Sequence, residues 1–119
     1  MLIPPKAVSS ATLSYEELKQ DRKVAQTFGQ CALGKKVLFI SSVWPGRTSY
    51  VPLDHIDRVF KRLAVSKGYF DGGIFGTLAY LVVRYDNGKE KAFRFKHEEH
   101  VNLLLNEIRR HTQIPVGKP

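Results

Sequence analysis

The residues best suited to chemistry are the pair of histidines in His97-Glu98-Glu99-His100, where the i, i+3 spacing at a helix start sets two imidazoles on one side with acids between them. A zinc site needs a third and usually a fourth protein ligand, and the zinc-protease pattern H-E-x-x-H has a different spacing. His55 and His111 are too distant in sequence to be counted with the pair. Nucleophilic chemistry has even less to work with. There is no G-x-S-x-G elbow, and Asp54 and His55 are neighbours whose side chains diverge on a strand. The single Cys31, set in a strand pattern, reads as a small buried hydrophobe. No acid, base and nucleophile can be assigned together, so the expectation is a non-enzymatic chain with no metal and no cofactor.

A second group of residues suits binding. In "AVSKGYFDGGIFGTLAY", residues 64 to 80, glycines alternate with Tyr69, Phe70, Ile74 and Phe75. The stretch matches neither G-x-x-x-x-G-K-[ST] nor G-x-G-x-x-G, and no strong helix follows to offer its N-terminus to an anion. Its "GIFG" has the form of a KH-domain loop, but that loop joins two helices and here both flanks read as strands. What remains is a long strand connection over residues 66 to 76. Its aromatic side chains either anchor a protein partner or a second copy of the chain, or fold back to cap the protein's own core. Just before it, Arg58, Lys61, Arg62 and Lys67 offer a basic strand that suits the phosphates of a nucleic acid or of anionic lipid headgroups. The plainer reading is a polar strand face turned to solvent.

Composition sets outer limits. A chain of 119 residues is expected to form one domain with one core, and 43% hydrophobic with 25% charged residues is ordinary for a globular protein. The net charge of +8 is the outlier, yet the 19 Lys and Arg are dispersed without a block of like charge. One cysteine makes no intramolecular disulfide. The opening "MLIPPK" has prolines where a signal peptide needs an uninterrupted apolar run, and the apolar run Thr77 to Val83 is far short of the roughly 20 residues that span a bilayer. These observations predict a cytoplasmic protein.

The elements that must position these residues are mostly strands. Residues 1–12 lack periodicity and read as an N-terminal tail or extended lead-in, with a single domain over 13–119. Ser14 with Glu17 forms a capping box, and Leu13 can staple to Leu18, so "SYEELKQDRK" is a short helix with a thin apolar stripe, a flap on the surface. Strand patterns follow in "VAQTFGQCAL", "KKVLFISSVW" and "RTSYVPL", with turns at Gly34-Lys35 and Pro45-Gly46. "IDRVFKRLAV" carries both helical and strand periodicity and is assigned to a strand on its β-branched and aromatic content. In "TLAYLVVRYDNGKEKAFRF", Asn87-Gly88 predicts a two-residue type I′ turn that pairs Val83 with Ala92, Val82 with Phe93 and Tyr80 with Phe95. That register leaves Leu81 and Val83 on a second apolar face that needs covering, by the Ser14 helix or by a second copy. "HEEHVNLLLNEIRRH" closes the chain as an amphipathic helix with Val101, Leu104, Leu105 and Ile108 on one side.

About six to seven antiparallel strands and a closing helix resemble the pleckstrin-homology-like fold. The stretches "FGQCALGKKVLFI", "SYVPLDHIDRVFKRLAVSKG" and "GTLAYLVVRYDNGKEKAFRFKHEEHVNLLLNEI" resemble a family of uncharacterised bacterial pleckstrin-homology-like proteins, over about residues 23 to 112. The resemblance implies a mainly β architecture, a barrel or bent antiparallel sheet capped by the C-terminal helix. It also implies a binding or scaffold role, because this fold hosts lipid-headgroup, peptide and purely structural functions. Phosphoinositide-binding members use a long basic loop between their first two strands. Here the tight "LGKK" stands in that place.

Overall fold

The computed structural model describes residues 5–42, 47–67 and 75–118, with the backbone alone for 65–67 and 75–77. Among these, the chain forms β1 (Lys6–Ala7), α1 (Tyr15–Val24), β2 (Gln26–Phe28), β3 (Cys31–Leu33), β4 (Val37–Ser41), β5 (Thr48–Pro52), a 3-10 turn (Leu53–His55), β6 (Ile56–Lys67), β7 (Phe75–Tyr85), β8 (Lys89–Phe95) and α2 (Glu98–His111). No helix among them is long and apolar enough to cross a membrane. The Pro45-Gly46 turn lies outside the described residues.

The strands form two separate sheets, ordered β1-β5-β4-β3-β2 and β6-β7-β8. They do not close into the barrel that the resemblance implies. The chain passes from one sheet to the other through the 3-10 turn, and β8 ends its sheet as an edge strand. Among the described residues, a side chain bridges the first sheet and the end of β8: Gln30 Nε2 donates to Ser41 O at 2.8 Å and to Arg94 O at 2.9 Å, while Gln30 Oε1 accepts from Lys96 N, just past β8, at 2.9 Å. One carboxamide therefore spans a gap that a continuous ladder would have filled.

Between the sheets lies the main core. Leu38, Ile40 and Val51 from the first sheet meet Val59, Leu81 and Val83 from the second. Helix α2 lies over the same cluster and buries Val101, Leu104, Leu105 and Ile108, the four positions that its periodicity marks. Each such side chain removed from water contributes about 1.5–3 kcal/mol. The ambiguous segment from Ile56 is a strand, long enough to pair with β7 from Ile56↔Tyr85 to Lys67↔Phe75.

Helix α1 is more than a surface flap. Ser14 Oγ accepts the Glu17 N–H at 3.2 Å as the capping pattern requires. Leu18 is buried with Ala32, Val37, Phe39 and Tyr50, and Leu13 joins them, forming a second small core on the outer face of the first sheet. The Leu81 and Val83 face is covered instead by α2 and the first sheet.

The β7–β8 register differs by one residue from the sequence expectation. Val83 pairs with Lys91, Val82 with Ala92, Leu81 with Phe93 and Tyr80 with Arg94. The turn holds three residues, and the positive φ angles that a type I′ pair demands fall on Asp86 (φ 49) and Asn87 (φ 55), with Gly88 (φ 136) as an added residue. A one-residue shift exchanges the faces. Phe93 and Phe95 thus share the main core with Leu81 and Val83, while Phe60, Val82 and Ala92 lie on the opposite face of the sheet, where Phe60 and Val82 are still buried.

Both ends of the described chain are tied down. Lys6–Ala7 runs parallel to β5, and Val8 N donates to Tyr50 O at 3.1 Å. After α2, Val59 N donates to Pro115 O at 3.0 Å and Gly117 N to Val59 O at 2.9 Å, so the last residues lie along the free edge of β6.

Candidate functional site

The glycine-rich connection is shorter than expected. Strand β6 continues to Lys67 and β7 begins at Phe75, so Ser66, Lys67, Phe75 and Gly76 belong to the ladder and the connection spans residues 68–74. Tyr69, Phe70 and Ile74 lie outside the described residues, and Lys67 and Phe75 are placed by their backbones alone, directly opposite each other.

The basic strand is divided between two faces. Lys61 points toward α2, where its Nζ donates to Glu98 Oε2 at 2.7 Å and Asn102 Oδ1 at 2.9 Å. Arg58 and Arg62 lie on the outer face with Arg84 and Arg94. Arg58 Nη1 donates to Gly117 O at 2.7 Å. Arg62 and Arg84 both reach Glu90, at 3.4 and 3.0 Å, with their guanidiniums 5.8 and 6.0 Å from the centre of the buried Phe60 ring. Those two hydrogen bonds hold the Glu90 carboxyl below its usual range, the Arg84 contact most of all.

The residues that suggested catalysis have structural partners. His97 and His100 stand edge to face, with ring centroids 5.3 Å apart, and a β-carbon on Gly29 would overlap the His100 ring. Among the described residues no three His, Cys, Asp or Glu side chains gather in a way that holds a metal. Cys31 is buried, its Sγ donates to Phe28 O at 3.1 Å, and burial pushes its thiol up to about 12. It stays protonated at neutral pH.

A cluster absent from the sequence reading brings together Ser9, His55 and Asp86. The carboxylate sits at the centre: Asp86 Oδ1 accepts the Ser9 hydroxyl at 2.7 Å and contacts His55 Nδ1 at 3.2 Å, and Oδ2 accepts the Ser10 N–H at 2.8 Å. The Ser10 N–H above all, then the Ser9 hydroxyl and with them His55, lowers the Asp86 carboxyl to about 2. A charge-relay triad needs the imidazole between hydroxyl and carboxylate. Here the acid lies between, which makes the cluster a tie for the N-terminal segment.

No family model matches this chain, nor does any curated protein or solved structure.

The geometry that suits a ligand is the gap bridged by Gln30. Beside it, Ile40, Ser42 and Ser49 of the first sheet and Lys91, Ala92, Phe93 and Arg94 of β8 border a cleft of about 320 Å³. Its floor is apolar at Ile40 and Phe93, and its rim is basic. Lys91 Nζ lies 5.4 Å from the centre of the Phe93 ring, which holds the ammonium at the wall. Sequence reasoning did not single out this site, although "KEKAFRFK" carries the dense lysines by which edge strands discourage pairing with like strands.

Proposed function

We propose that the chain is a non-enzymatic binding module of pleckstrin-homology-like fold, one that holds a protein partner. The observation that carries this reading is the cleft between the sheets, where an edge strand borders an apolar floor with a basic rim. Two sheets, a C-terminal helix across their shared core and the sequence likeness support the fold assignment. A site of this size, apolar below and polar at the margin, suits recognition better than catalysis.

The test compares the wild-type chain with Lys91→Glu/Arg94→Glu as baits in cell extract, alongside light scattering of the purified chain. The wild type should retain a defined protein that the double variant loses. Self-association removed by the same changes would keep the binding role and make the partner a second copy. A monomer that retains only nucleic acid, or nothing, overturns the reading.

A second reading rests on the outer-face arginines, which offer a surface for anionic lipid or nucleic acid. It is less favoured because Arg62 and Arg84 already share Glu90 and Arg58 is bonded to Gly117. Binding that disappears in Arg62→Glu/Arg84→Glu and with added salt would support it.

A further inference from the structure

We propose that the cleft beside β8 is a strand-addition site for an extended acidic segment of a protein partner. The inference rests on the binding-module reading above and names the chemistry of its ligand. Among the described residues, β8 is the last strand of its sheet and pairs with β7 alone. Along an antiparallel strand, successive residues direct their N–H and C=O alternately to one neighbour and to the other. Gln30 reaches the Arg94 carbonyl and the Lys96 N–H on the side away from β7. The alternation turns the N–H and C=O of Ala92 and Glu90 the same way, and Ala92 borders the cleft.

Gln30 is itself the second observation. Its carboxamide donates to the Arg94 carbonyl of β8 and accepts the Lys96 N–H just past the strand, as the peptide groups of an added strand do. This edge already binds an amide, and the cleft begins where Gln30 stops.

Charge selects the occupant. Lys89, Lys91 and Arg94 line one short strand and Lys96 follows it, with Lys89 and Lys91 on the Phe93 side and Arg94 on the side of the strand's one acid, Glu90, which Arg62 and Arg84 engage. Two copies of this edge would set Lys and Arg against Lys and Arg in chains that each carry +8. A nucleic acid meets the charge but has no alternating amide N–H and C=O to offer the edge. An acidic strand meets both requirements, with carboxylates at alternate positions toward Arg94 and apolar side chains toward Ile40 and Phe93.

The probe is a fluorescein-labelled peptide of alternating Glu and Val, read by anisotropy on the full chain. Two further probes carry N-methyl groups on one or the other alternate set of amide nitrogens. One methylated probe should bind like the parent, and the other at least about tenfold more weakly, since it loses ladder hydrogen bonds. The parent should also slow amide exchange at Ala92. Ala92→Pro removes an N–H that faces the cleft and spares the β7 ladder, so it should weaken binding by at least about tenfold as well. Equal binding by all three probes, equal binding by a Lys-Val peptide, or no binding of the parent overturns the inference. If the parent fails while the wild-type bait still retains a protein that Lys91→Glu/Arg94→Glu loses, the acidic-strand ligand falls and the module reading stands. A dimer that Ala92→Pro dissolves overturns it in favour of a second copy.

Discussion

Asp21 Oδ2 accepts the backbone N–H of Val37 at 3.0 Å, from a helix 16 residues earlier in the chain. The same carboxylate takes the N–H of Lys36 at 3.1 Å and, through Oδ1, the N–H of Lys35 at 2.9 Å. Asp21 is only 5% exposed, so a surface helix delivers a buried anion to the turn between β3 and β4. Asp21→Ala leaves these donors without an acceptor, and hydrogen bonds to a charged group contribute about 1.5–3 kcal/mol. The expected result is a loss of at least that size in urea denaturation, with a smaller loss for Asp21→Asn, which keeps one acceptor.

Gly34 makes that approach feasible. A β-carbon there would overlap the Asp21 carboxylate. Gly34→Ala should therefore destabilise by displacing Asp21, and the effects of Gly34→Ala and Asp21→Ala should be strongly non-additive. Fully additive losses in a double-mutant cycle would show that the two residues act separately.

The Asp86 tie predicts acid sensitivity at the N-terminal end. The folded-state pKa, lowered from 3.8 to about 2, contributes stability that is present above the ordinary carboxylate range and is lost as pH falls through that window. Amide exchange at Val8 and Ser10 should accelerate as pH falls from about 4 to 2, beyond the intrinsic pH dependence of exchange. Ser9→Ala should narrow the window by raising the Asp86 pKa. A pH profile unchanged by Asp86→Asn would remove the carboxylate from this role.

Gln30→Ala should loosen the junction between the sheets without unfolding either one. It removes three hydrogen bonds, one to β8 and one to Lys96 just past it, each contributing about 0.5–1.5 kcal/mol. Faster exchange of the Lys96 amide, with β6–β7 protection retained, is the expected signature.

Much of this architecture was legible where the signal is local. The stripe Val101, Leu104, Leu105 and Ile108 marks the buried side of α2, and Ser14 marks the start of α1. The strand choice for Ile56 onward follows from residue type, since periodicity allowed either assignment. The register of β7 and β8 was not legible, because Asn87-Gly88 carries the usual turn signal while contacts from elsewhere hold the turn. Asp86 is held by Ser9, Ser10 and His55, and Asn87 N donates to Asp57 Oδ2 at 2.8 Å. The candidate cleft was hidden for a related reason. The two sides of its floor, Ile40 and Phe93, come from different sheets, and the residue that sets the gap, Gln30, is an ordinary polar turn residue until β8 lies beside it.

The contact between Gly29 and His100 has a consequence for how this sequence can change. Gly29 sits at φ 61, and the space its missing side chain leaves is filled by an imidazole from α2. A mutation at position 29 alone therefore meets two obstacles, the backbone angle and the ring. Replacing His100 by a smaller residue removes only the second. Homologous sequences should show a bulkier residue at position 29 only where the helix partner has already shrunk, an order of substitution that this hairpin imposes on its own history.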